Sequence, residues 1–380
     1  MVVRLNPAVR IIPPSEAIGD RWVAEDLLER RRYGLSRHAA ATLVAAARPQ
    51  DPRDLVKLMM DSSNHSHLSQ HWEALTEELM RRRLLIDPAA VTYERLQWMV
   101  RLRAAWSRFG WQESADYHVL SFDYPCVDYS EGSGFLTDQD RMRAYQAREA
   151  DTDRFKLDYL DRPEIKLAGP TAELPSRSAR EVWCEPLRPV PIHGDALSTV
   201  ISLSFGATGT VIPRTGSAPL LRRSSPSGGA RNPSEGYVVV RDVPGLPRGW
   251  YHVTMRPFGL RLLEGPPMDD EGLLRLFPET IERFPLDAKA LIVITSVFER
   301  NMYRYREPRT FRTVHMDAGH IASAVRISAR SQGLSVGTYY CDMATKIEDA
   351  LDIDGLREGY MLTIALADGV DEASGAASPT

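Results

Sequence analysis

Cysteine is scarce in this sequence. Cys126, Cys184 and Cys341 are the only three among 380 residues, and they lie far apart. An odd number of widely spaced cysteines excludes a disulfide framework and a cysteine-based zinc site, and it favours a reducing compartment. No apolar run reaches the roughly 18 residues that a membrane helix requires, and residues 1–10 lack the apolar stretch of a signal peptide. We therefore expect a cytoplasmic protein without a membrane partner.

Positive charge is not in excess either. Lysine and arginine number 47 against 51 aspartates and glutamates, which gives a formal net charge of -4. Two short arginine clusters, at residues 30–32 and 81–83, are interleaved with acidic residues, as the solvated ends of amphipathic helices are. Because a nucleic-acid-binding protein needs a basic patch, we expect no nucleic-acid partner.

Several motifs that mark common binding and catalytic sites are missing. There is no Gly-x-Gly-x-x-Gly after a strand, no phosphate-binding P-loop and no Gly-x-Ser-x-Gly nucleophile turn. His315 and His320 are five residues apart, so they do not share a helix face as zinc ligands at i and i+4 would. His65, His67 and His71 lie in a polar connector. We expect no metal site.

The first part of the chain, residues 20–88, is predicted to be mostly helical. Asp20 is expected to cap a helix that runs through residue 28, and three more helices follow. A short apolar strand or a stop at 84–88 ends the series. This order resembles a winged-helix module over residues 1–90, for which we expect a peptide-binding or structural role rather than DNA binding.

Residues 91–194 form a predicted connector. A long helical pattern covers 93–109 and an aromatic-rich segment follows it. Many prolines at 161–195 predict an extended linker.

From residue 195 onward, strand and helix patterns alternate, which predicts an α+β domain over 195–368. Strands are predicted at 236–241, 250–253, 260–263, 290–295 and 359–367, a short strand or loop at 337–340, and helices at 271–283, 314–332 and 345–351. Residues 369–380 are small and polar, and we expect a disordered tail.

One stretch, residues 221–233, carries the residue types of a ligand-binding loop. Arg222 and Arg223 supply planar guanidinium groups that match a phosphate. The serines and Gly228-Gly229 that follow offer hydroxyls, exposed amides and a close backbone approach, which suit an anion or the edge of a heterocycle.

Four blocks together resemble the nitroreductase superfamily, and within it the SagB-type FMN dehydrogenases, or azoline oxidases. They are the Arg-Arg-Ser-Ser-Pro-Ser-Gly-Gly-Ala-Arg-Asn-Pro run at 222–233, the turn at 245–252, the Arg-Tyr segment at 304–312 and Asp-Ala-Gly-His-Ile-Ala at 317–322. The aromatic segment at 117–129 is also similar to peptide-maturation dehydrogenases.

The resemblance implies an α+β fold with a central mixed sheet flanked by helices, and a homodimer that binds FMN. The FMN-binding residues that it implies are Arg222, Arg223, Ser224, Ser225, Pro226, Ser227, Gly228, Gly229, Arg231, Gly333, Leu334 and Gly337. Azoline oxidases have a Lys-Tyr pair where this chain has Arg304-Tyr305. Because arginine essentially cannot lose its proton, Tyr305 is the expected catalytic acid–base and Arg304 its electrostatic partner or a substrate-carboxylate ligand.

The resemblance also implies a function. We expect an FMN-dependent dehydrogenase or oxidase that acts on a ribosomally made, modified peptide, by azoline-to-azole oxidation or a related desaturation. A modified precursor peptide is the expected substrate, and a cyclodehydratase or another tailoring enzyme is the expected partner. Two alternatives stay open: an NAD(P)H-dependent nitroreductase-like reductase of small molecules, and a non-catalytic flavin-fold scaffold that binds a peptide.

Overall fold

The computed structural model describes residues 2–17, 19–63, 69–89, 94–125, 127, 130–170, 178–184, 190–212 and 219–370. The chain divides into two compact units, residues 1–126 and 127–380. This division does not coincide with the predicted domain borders after residues 90 and 194. The predicted tail at 369–380 lies outside the described residues apart from its first two.

In its described residues, unit 1 (residues 1–126) combines short strands with five helices. They are β1 (Arg4–Leu5), β2 (Val9–Ile12), β3 (Trp22–Asp26), β4 (Arg31–Leu35), α1 (Arg37–Ala45), α2 (Pro52–Ser63), α3 (Ser69–Arg81), β5 (Leu85–Ile86), α4 (Glu94–Ser107) and α5 (Gln112–Ser121). Strands β2, β3 and β4 form a three-stranded antiparallel sheet. The likeness of this part to a winged helix stays a prediction.

The helix predicted from Asp20 to residue 28 is wrong, because β3 occupies this segment. Strand β3 pairs with β2 on one side and with β4 on the other, so both of its backbone edges are hydrogen-bonded. These long-range ladders outweigh the local helical preference of the segment. The second helix of the predicted series is present as α1, and the Ser36 hydroxyl caps its start by accepting the backbone N–H of Ala39.

Unit 2 (residues 127–380) is built on one large sheet. Its elements are α6 (Gly132–Gln146), β6 (Glu164–Lys166), α7 (Ala179–Cys184), α8 (Gly194–Phe205), β7 (Ala207–Val211), β8 (Leu220–Arg223), β9 (Ser234–Val240), β10 (Gly249–Met255), β11 (Phe258–Leu263), α9 (Asp270–Leu276), α10 (Pro278–Arg283), β12 (Ala290–Val297), α11 (Phe298–Arg304), α12 (Thr310–Ser331), β13 (Ser335–Tyr339), α13 (Ala344–Ala350) and β14 (Glu358–Ala367).

Seven strands form the sheet in the order β13-β14-β12-β9-β10-β11-β6. All six pairings are antiparallel, so the α+β prediction is confirmed but the sheet is not mixed. Two of these pairings are hairpins, β9–β10 and β10–β11, whose short connections allow only antiparallel neighbours. The predicted linker at 161–195 is partly wrong, because it contains the edge strand β6 and helix α7.

Both faces of the sheet are covered. Val238 and Ile292 point to one face and pack with α8 and α12, while Tyr237 and Leu291 point to the other and pack with α9, α10 and α13. Burial on both faces explains why β9 and β12 are nearly continuous apolar runs. The predicted helix at 271–283 is two helices, because Pro278 begins the second one. None of the helices that the structure describes is both long and apolar enough to cross a membrane.

Candidate functional site

The predicted ligand loop connects β8 to β9, which lies in the middle of the sheet. Its first hydroxyls are tied to the end of α8: Ser224 donates to the Leu203 carbonyl, and Ser225 donates to the Ser204 carbonyl at 3.3 Å. Ser225 is buried, whereas Ser224 and Pro226 are exposed. The last turn of α8 therefore sets the position at which the loop begins.

Asp317 of α12 holds the middle of the loop. Its Oδ2 accepts the Ser227 hydroxyl at 2.8 Å, and its carboxylate accepts the Gly228 backbone N–H at 3.2 Å. The Ser227 oxygen in turn accepts the backbone N–H of Asn232 at 2.9 Å. Burial raises the pKa of Asp317, against the lowering effect of these hydrogen bonds. The sequence placed Asp317 in a family block but did not identify it as the anchor of this loop.

Tyr305 meets the loop at Gly229. This glycine has a φ of 59°, and a Cβ built on it would lie 2.1 Å from the Tyr305 hydroxyl oxygen. The phenol therefore lies directly against the backbone of the loop. Two residues that the sequence predicted for different roles, cofactor binding and catalysis, are brought together here.

Arg304 stacks on Tyr305 and forms an ion pair with Asp138, a residue that the sequence did not predict for the site. Its guanidinium carbon lies 5.0 Å from the Tyr305 ring centroid. Its Nη2 donates to Asp138 Oδ2 of α6 at 2.5 Å, and both side chains are largely buried. Because Asp138 balances the charge, Arg304 acts on the phenol as part of an ion pair rather than as an isolated cation. Nothing in the local pattern around Asp138 indicated this partner.

Arg222 and Arg223 occupy consecutive positions of β8, so their side chains point to opposite faces. Arg222 is exposed and forms no ion pair with any described residue. Arg223 has a buried Nε with no hydrogen-bond partner in the described structure. Burial lowers the pKa of Arg223 to about 10, and the charge of Arg300 adds to the lowering against the opposite effect of Glu235. Of the two, Arg222 is the guanidinium that is accessible to a phosphate.

Arg231 is buried and has partners of its own. It donates to the Arg300 carbonyl at 2.6 Å and to Asp151 at 2.6 Å. Burial would raise the pKa of Asp151, but the hydrogen bond and charge of Arg231 outweigh burial and lower it. Arg231 thus fastens the segment after α6 to the site, and its role in FMN binding stays a prediction.

The remaining predicted cofactor residues have packing roles. Gly333 ends α12 with a φ of 79°, Leu334 is fully buried in the core, and a Cβ on Gly337 would lie 2.9 Å from the Phe284 ring. Their roles in FMN binding also stay predictions.

The sequence analysis considered two groups of histidines as possible metal ligands and predicted that neither binds a metal. His315 and His320 are exposed on α12. His65 and His67 lie outside the described residues, as does Cys126. Within the described part of the chain, no group of three or more His, Cys, Asp or Glu side chains could hold a metal ion.

A cavity of about 570 Å³ opens beside Tyr305, between α11 and α12. Its lining is mostly apolar and includes Phe298, Phe311 and Val314. The site thus combines a polar loop with an apolar cavity, and Tyr305 borders both.

The contact between Gly229 and Tyr305 leads to a prediction. Gly229→Ala should displace the phenol and destabilise the protein by about 1 kcal/mol or more, because alanine resists a positive φ and its methyl group clashes with the hydroxyl. A crystal structure of the variant and its thermal unfolding would test this. Gly319→Ala on α12 is the matched control, since no heavy atom lies within 4 Å of the added Cβ. An unmoved Tyr305 in Gly229→Ala would contradict the prediction.

Two known proteins are similar to this chain in sequence. The chain is 29% identical over 258 residues to the trifolitoxin-processing protein TfxB of Rhizobium leguminosarum bv. trifolii, covering 65% of this chain and 68% of that one. It is 32% identical over 192 residues to MJ1384 of Methanocaldococcus jannaschii, a protein named as a nitroreductase, covering 50% of this chain and 86% of that one.

A solved structure from Anabaena variabilis, also named as a nitroreductase, aligns with a TM-score of 0.47 at 24% identity. The alignment covers 64% of this chain and 48% of that longer chain. No family model matches the sequence. The identity to MJ1384, over most of that protein's length, shows that this chain belongs to the nitroreductase family.

Proposed function

We propose that this protein is an FMN-dependent dehydrogenase that desaturates a ribosomally made, modified peptide, by azoline-to-azole oxidation or a related reaction. The observation that supports the proposal is the contact of the Tyr305 hydroxyl with Gly229, a residue of the predicted flavin loop, because a phenol can transfer a proton. The similarity to a trifolitoxin-processing protein supports a role in maturation rather than in the metabolism of small molecules.

The described residues fit FMN. Arg222 offers an exposed guanidinium without an ion-pair partner among them, which suits the phosphate. Arg300 and Arg304 are already paired with Glu235 and Asp138. Ser224 to Gly229 form a polar loop of hydroxyls and backbone groups suited to the edge of a flavin ring.

The chemistry divides between cofactor and protein. Desaturation of a C–H/C–H or C–H/N–H unit removes two electrons and two protons from the substrate. FMN, when bound, supplies the acceptor for a hydride, which accounts for both electrons and one proton. The second proton must go to a base, and we assign this role to Tyr305, whose hydroxyl contacts the predicted flavin loop. Arg304 cannot take it, because it keeps its proton at any physiological pH.

Loss of the phosphate contact should be visible in flavin affinity. Arg222→Ala is expected to weaken FMN binding about 10- to 100-fold, the usual range for a charge-assisted contact, and to leave riboflavin binding unchanged because riboflavin lacks the phosphate. Titration of the flavin-free protein measures both affinities. Arg283→Ala, an exposed arginine of α10, is the matched control. Equal effects on FMN and riboflavin would contradict the assignment of Arg222.

The reaction is tested by mixing the FMN-loaded protein with a thiazoline-containing peptide without oxygen. We expect the flavin absorbance near 450 nm to bleach and the peptide to lose 2 Da, since two hydrogens leave it. A protein that binds FMN but is not reduced by any azoline peptide would contradict the proposed reaction.

A second candidate function is the NAD(P)H-dependent reduction of small molecules. The similarity to MJ1384, which is named as a nitroreductase, favours it. Steady turnover of NAD(P)H with a nitroaromatic acceptor would support it. The proposed peptide substrate, a tailoring partner and a homodimer are carried by the sequence resemblance, and they stay predictions.

A further inference from the structure

The cavity beside Tyr305 is formed by one helix–loop–helix segment. Helix α11, the loop at 305–309 and the first turns of α12 supply nearly all of its lining, and Leu356 closes it from the loop before β14. Its volume of about 570 Å³ lies in the range of pockets that hold small ligands or single side chains with their backbone.

The walls of the cavity are apolar although its mouth is open. Met302, Phe311 and Leu356 are 51%, 51% and 79% exposed, and they stand together with the buried Val314. Large apolar side chains grouped at an opening mark a binding surface for an apolar group. Methionine adds a flexible wall that adapts to the shape of its occupant.

The accessible wall of the cavity is apolar. Asn301 is among the residues around the cavity, but it is fully buried, so its amide is not accessible to an occupant. The accessible lining is therefore apolar, and the occupant should present an apolar side chain.

We propose that this cavity is a subsite for a large apolar side chain of the peptide substrate, next to the residue that is oxidised. The inference rests on the proposed function, because Tyr305 both borders the cavity and contacts the flavin loop. A concave pocket of this size suits one inserted side chain better than the broad, flat contact of two protein subunits.

Peptide binding tests the subsite without relying on turnover. Two capped tripeptides would carry the same thiazoline and differ only in the preceding residue, phenylalanine or alanine. Calorimetric titration into the FMN-loaded protein should show the phenylalanine peptide binding about 10- to 100-fold more tightly, the usual effect of burying one large apolar side chain.

Filling the cavity should abolish this preference. Met302→Trp narrows the mouth and is expected to reduce the affinity ratio to near one, whereas Met316→Trp on α12, an exposed methionine outside the cavity lining, should keep it. Equal affinity of the wild type for both peptides, or no binding of either, would overturn the proposal. So would a Met302→Trp variant that keeps the ratio and instead changes the oligomeric state, since the cavity would then face a second copy of the chain.

Failure of the proposed function gives a different result. In that case the phenylalanine peptide still binds more tightly, but neither peptide bleaches the flavin.

Discussion

Replacement of Tyr305 by phenylalanine is expected to leave FMN bound and to slow the reduction of the flavin by peptide about 10²- to 10⁴-fold, the range for loss of one general acid–base group. The phenyl ring still packs against Gly229 and still lies beside the Arg304 guanidinium. Only the hydroxyl that we propose as the acceptor of the substrate proton is lost. Single-turnover mixing in the absence of oxygen, followed by flavin absorbance, measures the effect.

Helix α11, which ends just before Tyr305, offers a matched control for this experiment. Tyr303 is a buried tyrosine of α11 whose hydroxyl has no hydrogen-bond partner within the described structure. Tyr303→Phe removes the same atom from a nearby position and should reduce flavin at close to the wild-type rate. A Tyr305→Phe variant as fast as Tyr303→Phe would rule out Tyr305 as the acid–base.

Two variants of Arg304 test whether its positive charge is needed for flavin reduction. Arg304→Lys keeps a positive charge near Asp138 and restores a group that can lose its proton, so part of the activity should remain. Arg304→Ala should lose more, because it also leaves the carboxylate of Asp138 without its partner. Both effects should appear in flavin reduction rather than in FMN affinity.

The second large effect concerns a buried ion pair beneath the site. Glu235 of β9 and Arg300 of α11 are 4% and 2% exposed, and a nitrogen–oxygen distance of 2.5 Å joins them. His252 lies 3.0 Å from the same carboxylate. Arg300→Met is expected to destabilise the protein by about 3–5 kcal/mol, because it leaves a buried carboxylate without its main cation. Urea unfolding measures the loss.

A double variant tests the physical reason. If the cost comes from the unpaired charge, Glu235→Gln added to Arg300→Met should recover much of the stability. Additive losses in the double variant would contradict this explanation. The stability of the single variant Glu235→Gln completes this double-mutant cycle.

The same pair predicts how stability depends on pH. Burial would raise the pKa of Glu235, but Arg300 and His252 lower it to about 2 from the ordinary 4.5. Between pH 2 and pH 4.5 Glu235 binds more protons in the unfolded chain than in the folded protein. The stabilisation that ionised Glu235 contributes to folding is therefore fully present above about pH 4.5 and is lost as the pH falls toward 2. The shift corresponds to about 3 kcal/mol, and Glu235→Gln should flatten the unfolding profile in this range.

Some features of the protein were determined by the sequence itself. Continuous apolar runs predicted the central strands β9 and β12, because residues buried on both faces of a sheet are apolar at every position. The apolar spacing on α12 predicted that helix within four residues at its start and one at its end. In the predicted ligand loop, the sequence has glycine at position 229, where a positive φ and the close Tyr305 hydroxyl leave no room for a Cβ.

Other features were decided only by the tertiary structure. Asp138 reaches Arg304 across 166 residues, and Asp317 reaches Ser227 across 90. The segment 22–26 became a strand because two neighbouring strands pair with it. Local sequence patterns predict whether a segment is a helix or a strand, and they predict the backbone conformation of a turn. Both depend on residues that are close along the chain. Which carboxylate meets which arginine depends on how helices pack onto the sheet, and only the complete fold brings those groups within hydrogen-bonding distance.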